Sequence, residues 1–172
     1  MHLPGGGRRL QVRCHRVARC AKNASPPYAT PAELAAAITT TPATTLARRP
    51  AADAWAPVEV VCHLRDLEES FHDRLTAILA TDEPRFATTN PNRWAEDRQY
   101  LRHDAHDAVR AFVRRRTETL MLLRGLAADA WSRAGWQLDS RGRRTVDEFL
   151  TLMAWHDENH LAQLARALVG RA

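Results

Sequence analysis

The sequence predicts an all-α protein, a four-helix bundle in up-down-down-up order with long crossover connections. Three observations predict it. Four segments repeat apolar residues at the 3.6-residue period of a helix, and no strand-like alternation is sustained anywhere. Two connections of about 20 residues, over 81–103 and 126–144, can each run the length of a bundle at up to ~3.3 Å per residue. Histidines on two of the helices also reach one level only in one arrangement. If the second helix is antiparallel to the fourth, 57 pairs with 169 and 80 with 145, and His63 falls beside His160. A parallel pair would leave His63 roughly 7–13 Å away at ~1.5 Å per residue. The antiparallel fit requires the second and third helices to run parallel to each other.

The chain of 172 residues, 45% hydrophobic, is long enough for one core and too short for two large ones. Residues 1–27 carry neither helical nor strand periodicity and read as a disordered basic N-terminal tail, with one domain over 28–172. The domain begins at Thr30-Pro31-Ala32-Glu33, a capping threonine followed by proline and glutamate, and a short helix runs on through Leu34 and Ile38. Pro57 opens the second helix, which extends to about Ala80 with Val60, Leu64, Leu67, Phe71, Leu75 and Ile78 on one stripe. Pro84, Asn90-Pro91 and Trp94 mark the first long connection, with at most a turn or two of helix. The third helix, from about Asp104 to Leu123, turns Val109, Phe112, Val113, Leu120 and Leu123 inward and ends at Gly125. The fourth starts with a Thr145/Glu148 capping box and stops at Gly170, with Val146, Phe149, Leu150, Met153, Leu164 and Leu168 on its inner stripe. No strand is expected.

Charge narrows the partners. The formal net charge is +5, yet residues 1–22 hold six basic side chains and no acid. The other 150 residues carry 19 basic against 20 acidic groups, so the folded part has no electrostatic footprint for nucleic acid. No aromatic is interleaved with the arginines of the tail, and Cys14-His15 with Cys20 form no zinc spacing. No apolar run is long enough to span a membrane, and no continuous apolar segment makes a secretory signal. Three cysteines without paired spacing point to a reducing, cytoplasmic setting. A homodimer is the expected assembly.

The chemistry lies in His156-Asp157-Glu158-Asn159-His160. Side chains at i and i+4 of a helix are neighbours about 5–6 Å apart, close enough for two imidazoles to share one ion. Both histidines fall inside the apolar stripe, where an unpartnered polar ring is costly, and His63 lies level with them. His63, His156 and His160 are therefore the expected metal ligands, for a divalent zinc, nickel or iron ion with coordination positions left open. Position 157 is Asp, so the His-Glu-x-x-His of zinc proteases is absent and a peptidase reading loses its base. Asp66, one turn past His63, is a weak candidate for holding that ring. Cys62 falls on the other side of its helix and reads as a solvent-side or helix-contacting thiol. His103 and His106, at a polar helix start, read as solvated or capping.

Two charges sit in apolar stripes, Arg116 and Asp157. With the third and fourth helices antiparallel and Gly125 level with Thr145, they come within ~4.5 Å along the axis. A buried salt bridge between them is expected, with Arg74 as the competing partner for Asp157.

Trp55-Ala56-Pro57-Val58-Glu59-Val60-Val61-Cys62-His63-Leu64, then Thr145-Val146-Asp147-Glu148-Phe149-Leu150 and His156-Asp157-x-x-His160-Leu161-x-Gln163-Leu164, resemble the DinB/YfiT superfamily over about residues 30–169. The resemblance implies an up-down-down-up bundle in which one histidine of the second helix and two of the fourth bind a divalent metal. Those positions are His63, His156 and His160 here. It also implies an enzyme acting on a small-molecule substrate, either a thiol S-transferase or a hydrolase. The preference for arginine (24) over lysine (1) suggests a GC-rich genome, and mycothiol is then the expected low-molecular-weight thiol. The competing expectation is a non-catalytic metal- or small-ligand-binding stress-response protein.

Overall fold

The helices start and stop where the sequence punctuates them. The computed structural model describes residues 30–138 and 142–172, and the basic segment over 1–27 lies outside these. Helix α1 spans Thr30–Thr39, and a single turn, α2, follows at Ala43–Leu46. Helix α3 runs Pro57–Ala80 with proline in its first turn, where a missing N–H costs nothing. Ala56 has no side-chain acceptor, so Glu59 caps alone: its carboxylate takes the Ala56 N–H at 2.9 Å and is itself held by Arg49. In the first connection lie strand β1 (Arg85–Phe86) and helix α4 (Pro91–Asp97), the latter capped by Asn90. Helix α5 spans Ala105–Arg124, capped by Asp104 and stopped at Gly125. Helix α6, Val146–Leu168, has both capping-box bonds between Thr145 and Glu148, at 2.9 and 3.2 Å, and Gly170 follows with a left-handed φ of 75°.

Residue pairings give the helix directions. Between α3 and α5, Glu68 meets Arg116, Glu69 meets Arg115 and His72 meets Thr119, a nearly constant offset that only parallel helices allow. Between α3 and α6, His63 meets His156 and Phe71 meets Phe149, a nearly constant sum, so those helices are antiparallel. Thr30 at the start of α1 reaches Asp157, and further on Arg48 comes within 3.5 Å of where a Cβ on Gly170 would lie. Helices α1 and α6 therefore run together, completing an up-down-down-up four-helix bundle.

One expectation fails: the long connections are not strand-free. Strands β2 (Ala134–Gln137) and β3 (Gly142–Thr145) form an antiparallel pair, and β1 adds to β2 in parallel, with Arg85 opposite Trp136. Strands of two to four residues are too short to show alternation, and the β1–β2 pairing joins residues far apart in sequence, so periodicity does not signal them. At Gly135 a Cβ would stand 2.5 Å from Phe86 and 3.0 Å from Ile78, so only glycine lets the sheet close on the end of the bundle.

The core has two apolar halves. Leu34, Ile38, Val60, Leu64, Phe112 and Leu164 pack in one, and Phe71, Leu75, Ile78, Leu123, Phe149 and Met153 in the other, beside the sheet. Each fully buried side chain of this kind contributes about 1.5–3 kcal/mol. Between the halves runs a belt of buried polar groups: His63, Glu68, Arg116, Thr119 and Asp157. No helix among the described residues is long and apolar enough to cross a membrane.

Candidate metal centre

The belt brings the three expected histidines together. His63 stands in the second turn of α3, beyond the Glu59 anchor, and His156 and His160 are consecutive steps of one face of α6. Ring centroids are 5.2 Å apart for His63–His156, 4.5 Å for His63–His160 and 4.3 Å for His156–His160. Nε2 of His63 lies 3.1 Å from Nε2 of His156, and one ring nitrogen from each of the three falls within 4.8 Å of the others. Two nitrogens that share an ion at ~2.0–2.1 Å stand at about that 3.1 Å separation, so the donor set fits a single divalent ion. Nδ1 of His160 pairs with Oε1 of Gln163 at 2.7 Å, which leaves its Nε2 facing inward. The Nδ1 atoms of His63 and His156 are buried and have no hydrogen-bond partner among the described residues. Trp55, half-buried just ahead of α3, lies nearly parallel to His160 at 6.3 Å and tilted over His63 at 5.0 Å, walling one side of the triad.

Burial pushes His63 down to about 3, aided by the neighbouring His160 and His156 rings. Burial, with His156 beside it, takes His160 to about 4. Both rings therefore offer neutral lone pairs at pH 7, as a metal requires.

Behind the triad lies the expected salt bridge. Arg116 donates from NH1 to Oδ2 of Asp157 at 2.6 Å, and both are buried. The guanidinium also grips Glu68 through Nε at 2.9 Å and NH2 at 2.7 Å, and Thr119 donates to the other Glu68 oxygen at 2.6 Å. Burial alone would raise the Asp157 carboxyl, but His156 and Arg116 outweigh it and hold it below the usual carboxylate range. Arg74 lies elsewhere, over the Phe86 ring and against the Ala87 carbonyl.

A family model described as the DinB superfamily matches residues 28–164. This chain belongs to the DinB superfamily. YfiT from Bacillus subtilis, described as a probable metal-dependent hydrolase with an unusual four-helix bundle topology, shares this DinB fold at a TM-score of 0.78. The match covers 100% of this chain and 95% of YfiT at 18% identity, a likeness of fold. No curated protein matches this chain.

The other sequence candidates of this DinB chain fall outside the triad. Asp66 accepts from Arg65, Arg98 and the Tyr100 hydroxyl, tying the first crossover to α3, and makes no bond to His63. Cys62 is fully buried, not solvent-side, and burial pushes its thiol up to about 12, which leaves it unreactive. His103 is exposed and bridges the Arg98 carbonyl and Arg65, and His106 is exposed too. Thr30, expected to cap α1, donates its hydroxyl to Asp157 at 3.1 Å. Glu68, Gln163 and Trp55 received no role from sequence. Only Glu68 carried a signal, an acid within the apolar stripe between Leu64 and Phe71.

Proposed function

We propose that His63, His156 and His160 hold one divalent metal ion, zinc, nickel or iron, and that this DinB protein is a cytoplasmic metal-dependent enzyme acting on small molecules. The observation that carries the reading is the convergence of one ring nitrogen from each of the three histidines within 4.8 Å, with Nε2 of His63 and Nε2 of His156 3.1 Å apart.

Three histidines leave coordination positions open, the pattern of catalytic rather than structural sites. An ion held there supplies Lewis acidity, lowering the pKa of a water or thiol and so making a nucleophile at neutral pH. The chain's own part is to present Nε2 lone pairs, to keep the His160 proton on Nδ1 through Gln163, and to exclude water on the Trp55 side. The nearby carboxylates are engaged, Asp157 by Arg116 and Thr30, and Asp66 by Arg65, Arg98 and Tyr100. Neither is placed to act as a general base, so activation falls to the ion.

The description of YfiT supports hydrolysis, and the family resemblance supports transfer of a low-molecular-weight thiol of the mycothiol type to a small electrophile. One assay separates them. The metal-loaded protein is screened against activated esters and amides in water, then against alkyl halides and epoxides with added thiols. Turnover that needs added thiol identifies a transferase, and turnover without it a hydrolase. His156→Ala should abolish either. Stoichiometric metal with no turnover in either screen would instead support a non-catalytic metal-binding protein.

A further inference from the structure

The Glu68–Arg116–Asp157 cluster lies directly behind His156, and its geometry bears on where that ring carries its proton. Oδ2 of Asp157 takes two donors, Arg116 at 2.6 Å and the Thr30 hydroxyl at 3.1 Å. The Arg116 guanidinium is fixed in turn by two bonds to Glu68 and by stacking 4.7 Å over Phe112. Arg116, Glu68 and Asp157 are each no more than 3% exposed, so the carboxylate has little freedom to rotate. Its other oxygen, Oδ1, faces Nδ1 of His156 at 4.0 Å, longer than a hydrogen bond but within reach of a charge–dipole interaction.

We propose that Asp157 is a positioning residue: clamped by Arg116 and Glu68, it fixes His156 as the Nδ1–H tautomer and so reserves its Nε2 lone pair for the metal. A bare Nδ1 would set a lone pair against a buried anion, whereas an Nδ1–H sets a positive edge against it. The assignment then propagates. With a lone pair on Nε2 of His156, the 3.1 Å contact to Nε2 of His63 is a hydrogen bond only if His63 carries its proton on Nε2. The buried, unpartnered Nδ1 of His63 is then a bare acceptor. His160 is held as Nδ1–H by Gln163. Both rings on α6 are thus preset for a metal, and His63 is the one that must change tautomer when the ion enters. The purpose of the device rests on the metal reading above, but the tautomers are properties of the metal-free protein.

Asp157→Asn provides the sharpest test. Arg116 and Thr30 both need an acceptor at the Oδ2 position, so the amide oxygen must sit there and the NH2 group must face His156. The preferred tautomer should then invert to Nε2–H, and the ligand lone pair is lost. The experiment is a long-range 15N–1H correlation spectrum of the metal-free full chain at pH 7.5, with cobalt(II) affinity measured in parallel. The wild type should show Nδ1–H at His156 and His160 and Nε2–H at His63. Asp157→Asn should show Nε2–H at His156 and a metal affinity weaker by about 10–100-fold. Leu123→Ala, a destabilising change in the other half of the core, should shift neither. Nε2–H at His156 in the wild type overturns the proposal even if the variant does not fold. So does a variant with unchanged tautomer and affinity, which would leave the metal site itself standing. Wild-type protein that binds no metal sinks the metal reading, while Nδ1–H at His156 would still support the positioning role.

Discussion

The triad and the ion cluster share one polar belt between the same two apolar halves, yet they handle buried polarity in opposite ways. The cluster is closed. Arg116 meets two carboxylates, Thr119 takes the second oxygen of Glu68, Thr30 joins Arg116 on Oδ2 of Asp157, and every member is buried. The triad is open. Two of its three Nδ1 atoms have no partner among the described residues, and its Nε2 atoms turn toward one another. A closed set of charges fixes register: it spans α3, α5 and α6, and a shift of any helix would strand a charge. An open set of rings leaves converging nitrogens that could take an ion. Unfinished polar satisfaction, rather than polarity itself, separates the candidate site from the scaffold.

Breaking the closed cluster should cost most. Arg116→Met leaves Glu68 and Asp157 as uncompensated buried anions, and stability should fall by about 3–5 kcal/mol in urea unfolding. A loss under 1 kcal/mol would mean the cluster is not a register lock.

The two regions should also separate on a pH scale. In the unfolded chain His63 and His160 take up protons near 6.5, whereas in the fold they resist until about 3 and 4. Below 6.5 the unfolded state therefore binds more protons, and stability falls as pH falls. At pH 5.5 the two rings together should cost the metal-free protein about 2–3 kcal/mol, at ~1.4 kcal/mol per pH unit each. The lowered carboxyl of Asp157 contributes stability that is present above the ordinary carboxylate range and is lost only at lower pH still. Unfolding followed from pH 7.5 to 5 should show the slope, and His63→Leu should remove about half of it.

Opening the triad further should do the reverse of breaking the cluster. His63→Leu replaces a buried ring that lacks a partner at Nδ1, and the metal-free protein should melt higher by about 2–4 °C. A melting temperature several degrees lower would mean that the rings stabilise the fold by themselves.

The same contrast explains what the sequence made legible. The stripe from Val60 to Ile78 and the capping box at Thr145 announce helices because both signals are local. Arg116 and Asp157 announced each other because a charge in an apolar stripe needs a partner, and the register of two antiparallel helices brought them level. Glu68 obeys the same rule and was missed, since it stands beside the exposed Glu69 and reads as one of a solvated pair. The sheet was illegible for different reasons: β2 and β3 are four residues each, too short to show alternation, and Arg85 and Trp136 are far apart in sequence, with no property of either predicting their pairing. The histidine level was readable from spacing alone. The roles of Gln163 and Trp55 were not, because each depends on where a single side chain points.

The central claim, one ion on three histidines, meets its most direct test in elemental analysis of untagged protein after loading with zinc, nickel or iron. Wild type and His103→Ala, altered at an exposed histidine away from the triad, should each hold close to one ion per chain for the preferred metal. His63→Ala, His156→Ala and His160→Ala should each lose most of it. Wild-type protein that takes up none of the three metals, or three single variants that keep a full equivalent, would contradict the account.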